Sequence, residues 1–322
     1  MMNFADSIHS AVISKKSVLV LGIDPRADQI PAVLLKRFAE SVKCARRDGE
    51  PCDKADARVI YYALRSFCFD VIDACAEFVC AVKIQVAFFE ELGPAGFRHL
   101  ADVIKHARNR GLLVIADAKR GDISSTSDAY ARAWFAKKTL AGVDNILRAD
   151  ALTIAPYLGR DTFTSFEPYC KDGAGAFILC RTSNKSAIDL QDLKSNGHNI
   201  WEKTARLIDN WGAPHIGECG LSSVGAVLGA TYHEEGMIAR KIAKHAWFLV
   251  PGIGTQGGQA EDARCFTRRD GLGAIFNVSR GILYAYKDKQ YDSFGEEGYA
   301  EAARIAAEKY RDELWEACGI SR

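Results

Sequence analysis

Between Leu113 and Thr126 the sequence reads LVIADAKRGDISST. The stretch opens as an apolar run, the pattern of a fully buried strand. Asp117 and Lys119 stand two residues apart, so both side chains leave the same face of that strand. Gly121 permits a sharp turn, and Asp122 follows it. A second apolar run, Phe78–Gln85, closes as AVKIQ with Lys83. Charges at the end of a buried strand are costly unless they are paired or functional. If the two runs are neighbours in one sheet, about 5 Å apart, then Lys83, Asp117 and Lys119 converge with their signs interleaved. That arrangement favours the charged form of each. The functional reading is a cluster of fixed, interleaved charges in a partly desolvated mouth; the alternative is a structural ion-pair network. Asp122, beyond the glycine, is expected to turn outward toward another subunit.

A second group of residues points to phosphate. Val250–Gly258 reads VPGIGTQGG and holds Gly252, Gly254 and Gly257 in the G-x-G-x-x-G spacing of dinucleotide sites. Only one further apolar run follows, and no suitable acidic residue closes it, so that reading fails. A glycine-rich turn after a late strand is better read as a phosphate cradle. The next run delivers Asn277, Ser279 and Arg280, and arginine offers a permanently charged fork suited to phosphate. Asp24, just before Pro25, could accept bonds from sugar hydroxyls. Thr126 and Ser183 are single hydroxyls with little information of their own. His99, His106, His215 and His245 read as solvated or packed residues.

These residues need a scaffold, and the apolar runs supply one. They are Val18–Asp24, Phe78–Gln85, Leu112–Lys119, Ala151–Pro156, Ala176–Ser183, Val224–Ala230, Trp247–Ile253 and Ala274–Ser279. Amphipathic stretches lie between them, among them Gly96–Arg110, Ser127–Lys138, Trp201–Trp211, Glu234–His245 and Gln259–Arg269. Strands alternating with helices argue for a parallel sheet, and eight such units predict an α/β fold, a (β/α)8 TIM barrel. Longer spacers mark insertions between strands 1 and 2 and between strands 5 and 6. The first contains a mixed-charge piece, Arg46–Arg58, read as an insertion between two helices. No Pro- or Gly-rich linker interrupts the chain, so residues 1–322 are read as one barrel domain. In such barrels the active site lies at the C-terminal ends of the strands. Asp24, Lys83, Gln85, Asp117, Lys119, Ser183 and Arg280 all close their runs.

The bulk composition excludes several classes. The 322 residues carry a formal net charge of +1 and are 48% hydrophobic. Neither nucleic acid nor a membrane surface is favoured as partner, and no apolar run approaches a bilayer span. The N-terminus has no basic region with an apolar stretch behind it, so no secretory signal is read. Ten cysteines are scattered singly, several within apolar runs, which suits a reducing compartment. With no His/Cys cluster at ligand spacing, no metal site is expected. The picture is of a soluble, cytoplasmic protein without a cofactor.

The motifs together resemble those of orotidine 5'-monophosphate decarboxylases. D-A-K-R-G-D-I-S-S-T carries the likeness, with LGIDP at the first run, AVKIQVAFFE at the second, RTSN at the fifth, VPGIGTQGG at the seventh and VSRGI at the eighth. The resemblance runs from about residue 17 to 285 and is nearest to the longer branch found in some bacteria and protozoa. It implies a (β/α)8 barrel that converts orotidine monophosphate to UMP with no metal or organic cofactor. By position it implies that Lys83, Asp117, Lys119 and Asp122 form the charged tetrad, with Asp122 reaching the other site of a homodimer. It implies ribose contacts from Asp24 and Thr126, the latter also across the dimer, and a pyrimidine contact from Ser183. Gln256 bridges base and phosphate, with Gly257 beside it, and Arg280 binds the phosphate. One departure is Lys185, which follows Asn184 where a proline is usual. Magnesium-dependent sugar-phosphate barrels share the D-x-K-x-x-D spacing, but a cation at Lys83 would repel their metal. A non-catalytic nucleotide-binding protein is the other alternative.

Overall fold

The structure, a computed structural model, describes residues 2–45, 52–254 and 257–320. All eight expected strands are present: β1 Leu19–Ile23, β2 Ala81–Gln85, β3 Leu113–Arg120, β4 Ala151–Ile154, β5 Gly175–Arg181, β6 Ser222–Leu228, β7 Ala246–Pro251 and β8 Ala274–Val278. They pair in parallel and in chain order, and β1 closes the ring against both β2 and β8. Strands covered on both faces read as continuous apolar runs instead of alternating ones, and β1, β4, β6 and β8 are buried at every position. Closure is tight where β1 meets β8. A Cβ built on Gly22 would fall 1.8 Å from Ser279 Oγ and 2.9 Å from Asn277 Oδ1, so any larger residue here would have to push both side chains aside.

The helix Phe4–Lys15 covers the N-terminal end of the barrel. Asn3 caps it by accepting from Ala5 N at 2.7 Å and accepts also from Ser223 Oγ at 2.6 Å, at the start of β6. Phe4 packs edge-on against Phe177, with ring centroids 5.9 Å apart. With that end filled, the open mouth lies at the other, where the strands' last residues stand.

Both expected insertions exist. Between β1 and β2 the helices Ala32–Ala45 and Cys52–Cys75 pack on each other. The Arg46–Arg58 piece is therefore not wholly a connection: residues 52–58 already belong to the second helix, and 46–51 lie outside the described residues. Between β5 and β6 the chain forms a 3-10 turn (Lys185–Asp189), a short hairpin pairing Lys194–Ser195 with His198–Asn199, and the helix Ile200–Gly212. Asn199 N donates to Glu202 Oε2 at 2.7 Å to start that helix, the reciprocal half of a capping box.

One further expectation needs correction. Gln259–Arg269 was expected as an amphipathic helix and instead contains only a 3-10 segment, Ala260–Phe266. Glycines crowd both sides of it (Gly257, Gly258, Gly271, Gly273), and so short a stretch is accommodated by the tighter helix. The layer it leaves thin is filled by Tyr299–Cys318, a helix beyond the motif-bearing region that packs on both Cys52–Cys75 and Ala260–Phe266. Its buried stripe of Ala302, Ala303, Ala306 and Ala307 repeats at helical spacing and permits close approach.

Candidate active site

At the mouth of the barrel, Asp117 accepts four side-chain donors. Lys119 Nζ (2.7 Å) and Thr153 Oγ1 (2.9 Å) bond its Oδ1; Lys83 Nζ (2.7 Å) and Gln85 Nε2 (3.1 Å) bond its Oδ2. Pairing between β2 and β3 sets Gln85 opposite Asp117, which brings Lys83 within reach one pleat below. The β3–β4 pairing is irregular here. Ala116 faces Leu152 and Arg120 faces Ile154, so four steps along β3 match two along β4. Lys119 absorbs the excess with a left-handed backbone, φ 45°. Its N–H then donates to Thr153 Oγ1 at 2.9 Å instead of to the ladder. Strain of this kind costs of order 1–3 kcal/mol and persists where surroundings over-determine it. Here the bulge aims the lysine into the mouth.

Burial and charge divide the three ions. The side chains of Lys83 and Asp117 are 5% and 10% exposed, that of Lys119 47%. Burial alone would push the Asp117 carboxyl up; the two ammonium groups, Lys83 and then Lys119, outweigh it and hold the carboxyl well below its usual range. Burial would likewise lower Lys83, but Asp117 and Asp24 raise it overall. The buried pair is thus fully ionised, and Lys119 is the member open to a ligand.

The cavity above this cluster has a volume of about 760 Å³. Asp24, Ser183, Asn277, Ser279 and Arg280 line it along with the cluster, as do the apolar side chains of Leu179, Val227 and Leu249. Asp24 Oδ1 lies 4.0 Å from Lys83 Nζ and is buried without a hydrogen-bond partner, as is Asn277 Oδ1. Unpartnered acceptors in a cavity wall are costly unless a ligand donates to them. Arg280 is exposed at the rim, and its side chain has no ion-pair or hydrogen-bond partner among the described residues. The glycine turn lies beside it: Gly252, Gly254 and Gly257 have φ of 106°, 80° and 95°, and Gly258 N donates to Gly252 O at 3.0 Å. Gly252 lines the cavity and Gly257 does not; Gln256 lies outside the described residues.

The structure does not bring Asp122 or Thr126 into this cavity. Asp122 Oδ1 accepts from Ile123 N at 2.8 Å, and Thr126 is exposed on the helix that follows. Thr153 was not anticipated: a lone threonine in the run ALTI carries no signal until the bulge places it. The loop after β5 keeps an extended residue before Lys185, with Asn184 at φ −72° and ψ 143°. That is the conformation a following proline would impose, so the departure at Lys185 leaves the loop's path intact. Gly229 abuts this loop; a Cβ there would fall 2.8–2.9 Å from Ser183 atoms.

Residues 19–291 match the Orotidine 5'-phosphate decarboxylase / HUMPS family. The chain belongs to this family. It is 39% identical to the orotidine 5'-phosphate decarboxylase of Rhodopirellula baltica, over 98% of this chain and 99% of that one. To the Caldicellulosiruptor bescii enzyme of the same name it is 37% identical, over 95% and 97%. Among solved structures, Leishmania donovani OMP decarboxylase superposes with a TM-score of 0.72 at 30% identity, covering 99% of this chain and 100% of that one. The UMP synthase of the same organism superposes equally well, over 98% of this chain and 56% of its own length. The decarboxylase family's barrel is therefore the barrel described above. No helix among the described residues is long and apolar enough to cross a membrane, and no group of three or more His, Cys, Asp or Glu side chains among them could hold a metal ion.

Proposed function

We propose that this protein decarboxylates orotidine 5'-monophosphate to UMP, the last step of de novo UMP synthesis. The observation that carries the reading is the buried Lys83–Asp117–Lys119 triad, whose one exposed member faces the cavity. In the reaction the bond between C6 and its carboxylate breaks, CO2 leaves, and the electron pair stays on C6. Lys119 stabilises that developing charge and then donates its proton to C6. Asp117 faces the departing carboxylate; two like charges roughly 4 Å apart repel by about 4 kcal/mol at an effective dielectric near 20. Loss of neutral CO2 relieves this repulsion. Lys83, sealed against Asp117, keeps that carboxylate charged and in place. Asp24 accepts from the ribose, Ser183 contacts the pyrimidine, and Gln256, with Gly257 beside it, bridges base and phosphate.

Arg280 holds the phosphate, remote from the bond broken, where binding energy serves to close the site and exclude water. Replacing it by alanine is expected to weaken UMP binding by about 2–3 kcal/mol, roughly 30- to 150-fold. Calorimetric titration of Arg280→Ala with UMP and with uridine checks this: only the phosphorylated ligand should lose affinity.

Asp122 and Thr126 act across a homodimer. Both lie on the surface outside their own cavity, and Ile123, Tyr157 and Leu158 expose apolar area nearby in the loops after β3 and β4. A shared site has a distinctive consequence. Mixing inactive Lys119→Ala with inactive Asp122→Ala is expected to restore activity, because the hybrid dimer holds one intact site. Mixed enzymes that stay as inactive as the separate variants would contradict the shared site. We place the protein in the reducing cytoplasm, since all eight described cysteines are free thiols and six are buried. Burial pushes Cys80, Cys170 and Cys180 up to about 12, which leaves them unreactive.

A further inference from the structure

Ser183 projects into the cavity from a loop that has little backbone structure of its own. Side chains hold it instead. Gln191 grips Thr182 twice: its Oε1 accepts from Thr182 N at 2.9 Å, and its Nε2 donates to Thr182 Oγ1 at 2.7 Å. That hydroxyl donates onward to Asn184 Oδ1 at 2.6 Å. Beneath the grip lies Arg181, 2% exposed, whose guanidinium stacks 3.8 Å from the Tyr232 ring and whose Nη2 stands 3.2 Å from Asp192 and 3.9 Å from Glu235. Its Nη1 reaches Gln191 Oε1 at 3.4 Å. Tyr232 and Glu235 belong to the segment after β6, so the arginine ties the loop after β5 to the next wall of the site. Gln191 also lines the cavity.

We propose that Gln191, seated on Arg181, is a positioning residue: a side-chain latch that fixes Thr182–Asn184 and so presents Ser183 to the base of the bound nucleotide. The proposal rests on the decarboxylase reading of the site. A latch of this kind does by hydrogen bonding what backbone stiffening would do by restricting dihedrals, and the structure offers a place to exchange one for the other. Asn184 is already extended, Lys185 opens a 3-10 turn, and Lys185 N donates no hydrogen bond among the described residues. A proline at 185 therefore fits without loss.

The test uses the full-length protein in four forms: wild type, Gln191→Ala, Lys185→Pro and the double variant. Steady-state decarboxylation and UMP titration are the readouts. Gln191→Ala is expected to raise KM and weaken UMP binding roughly 10- to 30-fold, with an unfolding midpoint close to wild type. Gln191→Leu, which keeps the side-chain volume, should do the same and serves if the alanine variant folds poorly. Lys185→Pro alone should change either readout by less than about twofold, yet recover about two- to fivefold in the double variant, since stiffening a compatible position favours the ordered loop. Unaltered UMP binding by Gln191→Ala would overturn the latch. So would a loss that Lys185→Pro does not relieve, because Gln191 would then act on the ligand directly. A wild-type protein that binds UMP without turnover contradicts the decarboxylase reading and leaves the binding comparison to judge the latch.

Discussion

Lys119→Ala is expected to lower kcat for decarboxylation by roughly 10⁴-fold or more, with the fold retained. General acid catalysis by a positioned side chain contributes about 10²–10⁴-fold, and fixed charge at the developing anion about 10²–10³-fold more. One ammonium supplies both here. Lys119 is the exposed member of the triad, so its removal leaves Asp117 still paired with Lys83 at 2.7 Å and hydrogen-bonded to Gln85 and Thr153. Structural damage should therefore be small, and UMP, which lacks the carboxylate, should still bind. Single-turnover kinetics beside UMP titration separates the two effects. A variant that loses UMP binding as completely as turnover would mean that Lys119 serves binding and not the chemical step.

Asp117→Asn is expected to injure both stability and turnover. Removing one member of a buried ion pair costs about 3–5 kcal/mol, because the other charge is left uncompensated. Lys83 is that charge, and among the described residues Asp24, at 4.0 Å, is the one ion-pair partner it keeps. Urea unfolding of the variant should show a lower midpoint with an unchanged slope. The wild-type pair also fixes the pH window. Asp117 is depressed below its ordinary 3.8, so its stabilisation is complete above that value and is lost as pH falls toward the folded value. Lys83 is raised above 10.5, so its stabilisation is complete below that value and is lost only as pH rises through the folded value. The pair should therefore add a constant amount from about pH 4 to 10.5, and Asp117→Asn should show a shallower acid limb than the wild type, with Asp6 and Asp270, also held below their ordinary range, supplying what remains. An acid limb as steep in Asp117→Asn as in the wild type would locate it in those other carboxylates.

The parts of the fold that could be read in the sequence are those whose chemistry repeats. Each strand of the barrel is an apolar run bounded by polar residues, and all eight were legible for that reason. The charged ends of β2 and β3 were legible because Lys83, Asp117 and Lys119 have no cheap structural alternative at a buried strand's close. Thr153 and Gln191 were not, because their roles depend on a bulge and a loop fold that no local pattern announces. Ser183 could be singled out by position, but what holds it could not. The helix Tyr299–Cys318 lay hidden in an alanine-rich, charged stretch with no motif, although its buried stripe has helical spacing. The 3-10 segment Ala260–Phe266 shows the converse error: amphipathic spacing was present, but flanking glycines left no length for an α-helix.

The most direct test of the central claim is the loss of pyrimidine absorbance when orotidine monophosphate is added to the wild-type protein in excess EDTA, followed by chromatography of the product. Absorbance should fall with stoichiometric formation of UMP, and Lys119→Ala should show no fall. Wild-type protein that binds UMP yet leaves the absorbance unchanged would contradict the claim, and the charged triad would then belong to a nucleotide-binding protein without this chemistry.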